Sequence, residues 1–284
     1  MKLDAIQSHR FAPVEHAYTA RDSMLYALGL GYGSDPLDTG QLKYVYEDGL
    51  QAVPSLVNVL AHPGFWAKDP AFGIDWVKIL HGEQAFELFK PLPPEGRMRG
   101  EYTIEAVQDQ GVERGARLFQ LKHLFDAETG EKVATVRTVL VMRGDGGQGG
   151  FGEAPESPGP LPERAPDEVI EIATLPQQAL IYRLSGDYNP IHADPAPAQK
   201  AGFPGPILHG LCSLGIATRA ILQARCDNDP ERLRALSLRF SRPVFPGETL
   251  SVELYDVPGG VQFRCRVKAR DVVVLDRGRA EFTA

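Results

Sequence analysis

Asp187, Asn189 and His192 fall within six residues of one another, inside the dense segment Tyr182–Gly210, YRLSGDYNPIHADPAPAQKAGFPGPILHG. Gly186 and Pro190 interrupt any helix there, so the three polar side chains sit on a turn. A carboxylate and an imidazole five residues apart on a bent loop can face one water. The imidazole changes charge near neutrality, and a carboxylate beside it can hold the complementary protonation state. The pair suits general acid–base chemistry. Asn189 does not titrate, but it can orient a water or a carboxylate. Taken singly, an Asp-x-Asn-Pro stretch is an Asx turn and a lone histidine is structural. The chemical reading comes from three capable groups on one loop.

A second feature follows directly. Phe203-Pro204-Gly205-Pro206 cannot be helical, and His209-Gly210 then opens a long apolar pattern. The first N–H groups of a helix have no intrahelical partner and carry the positive end of its dipole. At Gly210 no side chain blocks an approaching ligand, so that N–H can hold a developing oxyanion. The structural alternative is that Gly210 simply permits close packing. His209 reads as a helix-capping or core residue.

Several elements must position these groups. His209–Arg225 is apolar at Leu211, Leu214, Ile216, Ala217, Ala220, Ile221 and Ala224, which predicts a long buried helix. Ser237–Arg242, Leu250–Val257, Val261–Ala269 and Val272–Ala284 are β-rich and separated by Pro-Gly or Gly-Gly turns. Glu101–Asp109, Arg114–Asp126 and Lys132–Met142 do the same earlier in the chain, while Ser23–Leu30 and Leu180–Leu184 read as short helices. A buried helix followed by antiparallel strands implies an α+β unit with a sheet wrapped around a helix.

There are two such units. Asp22–Leu30 resembles Gln178–Gly186, with Tyr26 matching Tyr182 and Leu28 matching Leu184. Phe86–Ile104 resembles Leu238–Leu254 through shared Pro-x-x-Gly turns, so an internal duplication is expected. The identical tripeptides Leu80-His81-Gly82 and Leu208-His209-Gly210 stand at a different offset and read as coincidence. Between the units, Arg143–Pro166 is rich in glycine and proline and reads as a flexible linker. The expected organisation is residues 1–142, a linker over 143–166, and residues 167–284. Between Leu30 and Leu80 nothing matches the long helix, so the first unit lacks one. The first unit also lacks an Asp-x-Asn-Pro-x-His motif, so the second is expected to be catalytic and the first is not.

Composition narrows the partners. The 284 residues are 43% hydrophobic and 24% charged, which is globular. The net charge is −7, and residues 160–284 carry 15 basic and 15 acidic side chains, so the excess acid lies before them. A sequence-independent nucleic-acid binder needs a basic footprint, which this balance lacks. No apolar run is long enough for a membrane span. The first twenty residues have no secretory core, and the final AEFTA is not a Ser-Lys-Leu address. Cys212, Cys226 and Cys265 form an odd, sparse set without CxxC, as expected of reduced thiols in the cytoplasm. No metal-ligand spacing is spelled by the seven histidines.

The run Tyr182–His192, YRLSGDYNPIH, resembles the hydratase 2 signature of the MaoC-like family at nearly every position. Leu80–Gln84 (LHGEQ), Lys90–Pro93 (KPLP) and the glycine-rich Gly144–Gly152 are similar to other parts of its duplicated domain. The resemblance covers the whole chain. It implies a double hot-dog fold, pictured as two antiparallel sheets side by side, and reversible (R)-specific hydration of trans-2-enoyl-CoA. By position it implies Asp187 and His192 as the catalytic pair, with Asn189 in the same motif and Gly210 N–H as holder of the thioester oxygen. It implies substrate contacts from His81, Gly82, Gln110, Tyr188, Pro190, Ile191 and Phe240. Gln110 stands where the family has a lysine for CoA, in Asp109-Gln110-Gly111. The space left by the missing helix would take the acyl tail. No cofactor is implied, CoA being part of the substrate, and a homodimer is expected. A hot-dog thioesterase and a non-catalytic acyl-CoA-binding protein are the alternatives. Which of Asp187 and His192 takes a proton and which returns one stays open at this level.

Overall fold

The computed structural model describes residues 1–157 and 159–283; Pro158, in the expected linker, and Ala284, at the end of the last expected strand, lie outside the described residues. Ten strands are formed by the described residues. They are β1 (Val14–Tyr18), β2 (Ile79–Leu88), β3 (Gly96–Asp109), β4 (Ala116–Asp126), β5 (Lys132–Met142), β6 (Glu168–Ala173), β7 (Leu233–Phe240), β8 (Thr249–Val257), β9 (Gly260–Val267) and β10 (Val272–Phe282). All join one antiparallel sheet in the order β1-β3-β4-β5-β2-β7-β10-β9-β8-β6. Read outward from the centre, each half repeats the other, so the duplication read from the sequence is the symmetry of the sheet.

The α+β double hot-dog class holds, with one correction. The two half-sheets do not stand apart. β2 and β7 pair from Glu83 opposite Arg239 to Glu87 opposite Ala235 and fuse them. Left unjoined, those two strands would be open edges with unsatisfied N–H and C=O groups. The sequence reading also missed β1, β2 and β6. In β2 the inward positions are Gly82, Gln84 and Phe86, so a glycine and an amide hide the apolar alternation.

The helices are α1 (Leu3–Ser8), α2 (Ala20–Gly29), α3 (Thr39–Leu42), α4 (Gln178–Tyr182), α5 (Pro195–Lys200) and α6 (Gly210–Arg225). Every residue of α6 from Cys212 to Leu222 is buried. A helix buried all round must be surrounded, and its one buried charge, Arg219, donates to Gly31 O at 2.7 Å. Its close approach to the end of α2 depends on Gly215, where an added Cβ would lie 2.3 Å from Leu30 Cδ2. α2 opens with a capping box between Thr19 and Asp22 and packs against α4. There Tyr26 and Tyr182, matched in the sequence repeat, meet with ring centroids 5.7 Å apart.

The first half has no counterpart of α6. A single 3₁₀ turn, Pro54–Asn58, is buried throughout and packs on α6 instead. Its exposed carbonyls are answered by Lys122 of β4, whose Nζ donates to Val57 O (2.7 Å), Asn58 O (3.3 Å) and Leu60 O (2.7 Å). Lys122 is buried, and that burial pushes its pKa down to about 7.

The linker also differs from expectation. Asp109 accepts from the backbone N–H groups of Gly111, Gly147 and Gly149 at 2.9, 2.8 and 2.7 Å, and Phe151 pairs with Val107. Gly144–Gly152 is therefore anchored rather than a free tether, its glycines letting backbone lie against backbone. The two Leu-His-Gly tripeptides occupy unrelated places, one on β2 and one at the start of α6, as the offset implied.

Lys122→Met removes three donors and leaves three buried carbonyls, so it should destabilise the fold by about 2–4 kcal/mol. An exposed lysine titrates at about 10.4, so between about pH 7 and pH 10 the unfolded chain binds more protons than the folded one. This group's contribution to stability therefore rises with pH across that window. Urea unfolding at pH 7 and pH 9.5 should show a pH-dependent rise in the wild type that the variant lacks. An unchanged midpoint would show that those carbonyls are satisfied in some other way.

Candidate active site

The loop that carries Asp187, Asn189 and His192 begins where α4 stops. A 3₁₀ turn over Arg183–Ser185 ends at Gly186, whose φ of 117° is open to glycine and strained for other residues. Asp187 follows. Asn189 N–H donates to Asp187 Oδ1 (3.1 Å), and Asn189 Oδ1 accepts from Ile191 N–H (3.3 Å). Asn189 thus caps the short turn Pro190–His192, with Pro190 at its first position. Ile191 O in turn accepts from Ile207 N–H (3.3 Å), tying this loop to the segment that leads into α6.

His192 is almost fully buried, and its Nδ1–H donates to Ile207 O at 2.8 Å. The proton is therefore on Nδ1, and the Nε2 lone pair faces Asp187 Oδ2 at 3.9 Å. That gap is too wide for a direct hydrogen bond and suits one water donating to both atoms. Burial pushes the His192 pKa below 6.5, opposed by the Ile207 carbonyl and the charge of Asp187. At pH 7 the ring is neutral and available as a base.

His209 supports this pair. Its ring stacks on His192 with centroids 3.7 Å apart and an interplanar angle of 26°, and its Nε2–H donates to Asp187 O at 3.1 Å. Burial and the neighbouring His192 push its pKa down to about 4. The expected capping role is not there, since the side chain makes no bond to the helix N-terminus. Instead it holds the backbone of Asp187 and the ring of His192. Nothing in the spacing of the sequence could have shown this, because Asp187 and His209 meet only through the fold.

Gly210 is the first residue of α6, and an added Cβ would sit 3.1 Å from the Phe240 ring. The glycine therefore permits the close approach of the Phe240 ring, and as the first residue of α6 its N–H has no intrahelical partner. The His81 ring lies 4.6 Å from that of Phe240. His81 Nε2–H donates to Gln84 Oε1 (2.8 Å), which also accepts from Thr138 Oγ1 (2.9 Å). Gly82 occupies a β-bulge, since His81 pairs with Leu140 and Glu83 with Val139. An added Cβ there would lie 2.6 Å from Val141 Cγ2. The structure thus gathers Asp187, His192 and Gly210 from the second half with His81 and Gly82 from the first, and Phe240 stands between them.

Two expected contacts lie apart from this centre. Tyr188 is exposed beside the Arg183 guanidinium, 5.0 Å from its ring centroid. Gln110 lines an open cleft of about 780 Å³ that also reaches Gly82 and Phe240. The sequence reading missed His62, whose Nδ1 accepts from Gly64 N–H (3.1 Å) and whose ring feels the charge of Asp187.

Among the described residues, ligand atoms of Asp187, His192 and His209 come within 4.8 Å of one another, a spacing open to a metal ion. His192 Nδ1 and His209 Nε2 are already taken up by the carbonyls of Ile207 and Asp187, which leaves His192 Nε2 facing Asp187 in an arrangement that suits proton transfer.

Comparison with known proteins agrees with this layout. Residues 158–276 match the family described as MaoC like domain, and residues 16–144 match the MFE-2 hydratase 2 N-terminal domain. The chain is 37% identical over 296 residues to a peroxisomal enoyl-CoA hydratase 2 of Arabidopsis thaliana, covering 96% of this chain and 93% of that one. It is 40% identical over 283 residues to 3-hydroxyacyl-thioester dehydratase Y of Mycobacterium tuberculosis, covering 96% and 95%. The crystal structure of a MaoC-like dehydratase from Phytophthora capsici superposes with a TM-score of 0.90 at 32% identity, over 100% of this chain and 98% of that one.

Long-range ¹H–¹⁵N correlation spectra should find His192 neutral at pH 7, with its proton on Nδ1 and a titration midpoint below 6.5. A midpoint at or above 6.5, or a proton on Nε2, would remove the free lone pair on which the site depends.

Proposed function

The chain belongs to the hydratase 2 branch of the MaoC-like family, and we propose that it uses Asp187, His192 and Gly210 to hydrate trans-2-enoyl-CoA reversibly to (3R)-3-hydroxyacyl-CoA. The observation that carries this reading is the 3.9 Å gap between a free imidazole lone pair and a carboxylate oxygen, close to the open start of α6.

The thioester oxygen accepts from Gly210 N–H, which draws electrons from the conjugated double bond. A water held between Asp187 Oδ2 and His192 Nε2 attacks C3. Its proton passes to Nε2 as the C3–O bond forms, and the electron pair of the double bond moves onto the thioester as an enolate. The helix N-terminus stabilises that negative charge. Asp187 stabilises the imidazolium formed beside it. The proton then leaves Nε2 for C2, the carbonyl is restored, and one water has been added. The same steps in reverse expel water.

Binding of the acyl chain follows from the asymmetry of the halves. The first half has the short turn Pro54–Asn58 where a second α6 would lie, and in this reading the acyl tail binds on that half's side of the site. No metal or redox group enters this cycle, and CoA arrives as part of the substrate. The reading extends to a cytoplasmic homodimer. Cys212, Cys226 and Cys265 are all buried and unpaired, as a reducing compartment allows, and light scattering decides the dimer. No helix among the described residues is long and apolar enough to cross a membrane.

Crotonyl-CoA and octanoyl-CoA test the reaction. Loss of enoyl absorbance without free thiol is the expected result, whereas free thiol would identify a thioesterase. Asp187→Asn and His192→Gln should each lower kcat by about 10²–10⁴ with an unchanged circular dichroism spectrum. The double variant should fall far short of the product of the two, because the residues act as a unit. Near-normal turnover in either single variant would place the chemistry elsewhere.

A further inference from the structure

The cleft beside the site opens on the far side of the Phe240 ring. One wall is Gly82 and Gln110 from the first half, and the other is Arg239, Phe240, Ser241 and Arg242 from the second. Phe240 belongs to both places, since the same ring packs against Gly210 and His81. A thioester held at Gly210 would therefore send its other end past Phe240 into this cleft.

The charges in the cleft are unequal. Arg117 is committed to Glu83 at 2.7 Å, and Arg239 lies 3.5 Å from Asp276. Arg242 is exposed and bonds only to the carbonyl of Ser241 (3.3 Å), and among the described residues it has no carboxylate partner. Its backbone is fixed all the same. Ser241 N–H and Arg242 N–H both donate to Val274 O of β10, at 2.9 and 3.4 Å. Ser241 Oγ is buried without a hydrogen-bond partner. The cleft thus holds a guanidinium with unused donors, carried on a fixed stretch of backbone. In an extended segment, two residues from Phe240 to Arg242 span roughly 7 Å, and the arginine side chain reaches further.

We propose that Arg242 is the anchor for a phosphate of the CoA nucleotide, with Arg239 lining the same cleft. Planar, always-charged guanidinium suits phosphate oxygens, and a bond of this kind is stronger than a neutral one. The proposal rests on the hydratase reading for the identity of the ligand. It adds that affinity for the carrier comes from the second half's wall, at a place that takes no part in the proton transfers.

Steady-state kinetics should compare the wild type with Arg242→Ala, Arg242→Glu and Arg242→Lys. The substrates are crotonyl-CoA and crotonyl-pantetheine, which carries the same thioester without phosphate. With crotonyl-CoA, KM should rise about 10- to 100-fold in Arg242→Ala and further in Arg242→Glu, while kcat moves little. Arg242→Lys should recover most of the loss, and with crotonyl-pantetheine the differences should shrink to within about twofold. Equal KM values for crotonyl-CoA across the set would overturn the assignment, as would an equal loss on crotonyl-pantetheine. A wild type that hydrates neither thioester fails the hydratase reading instead. Calorimetry with free CoA then still judges Arg242, with weaker binding by Arg242→Ala supporting it and equal binding refuting it.

Discussion

Helix α6 is buried on every side from Cys212 to Leu222, and a helix buried all round can exist in water only if other elements enclose it. Strands β6, β7 and β10 of the second half cover one side of it, and the first half covers another with the Pro54–Asn58 turn and Leu30. The pairing of β2 with β7 joins the two halves that supply these covers. Only one helix fits inside. The Pro54–Asn58 turn takes the vacated place, and Lys122 exists where it does because that turn ends in carbonyls with nowhere else to go.

The same enclosure makes the chemistry. A buried helix must begin somewhere, and the first N–H groups of α6 lie at the edge of the core with no intrahelical partner. Gly210 puts one of them beside the loop that carries Asp187 and His192. The residues before α6 serve that loop twice, through Ile207 O on His192 and through His209 on Asp187. The anchoring of the helix start and the setting of the proton positions are one arrangement.

How much of this was legible follows the range of the interactions. The turn at Gly186–His192 is local, made by Gly, Asn and Pro, so its residues announced both shape and chemistry. The buried helix was clear from its pattern, and the duplication from Tyr26 and Tyr182. What failed to show depends on partners far along the chain. β2 hides behind an inward Gln84 that answers His81, Asn58 and Thr138. His209 has a role only once α6 is docked. Glycine-rich composition reads the same for a loose tether as for Gly144–Gly152, whose glycines allow close backbone packing under the grip of Asp109.

The seam at the centre of the sheet has a bearing on how the chain reaches its fold. β2 carries Glu83 and Glu87, while β7 carries Arg234 and Arg239, with Glu87 bonded to Arg234 at 2.7 Å and Glu83 directly opposite Arg239. The two strands are separated by the rest of the first half and much of the second, so this pairing forms late. Until then the nascent first half presents an unpaired edge, the kind of surface through which neighbouring chains on a ribosome cluster could stick. An acidic edge repels another acidic edge and accepts a basic one. The charge pattern therefore sets two β2 edges against each other and matches β2 to β7.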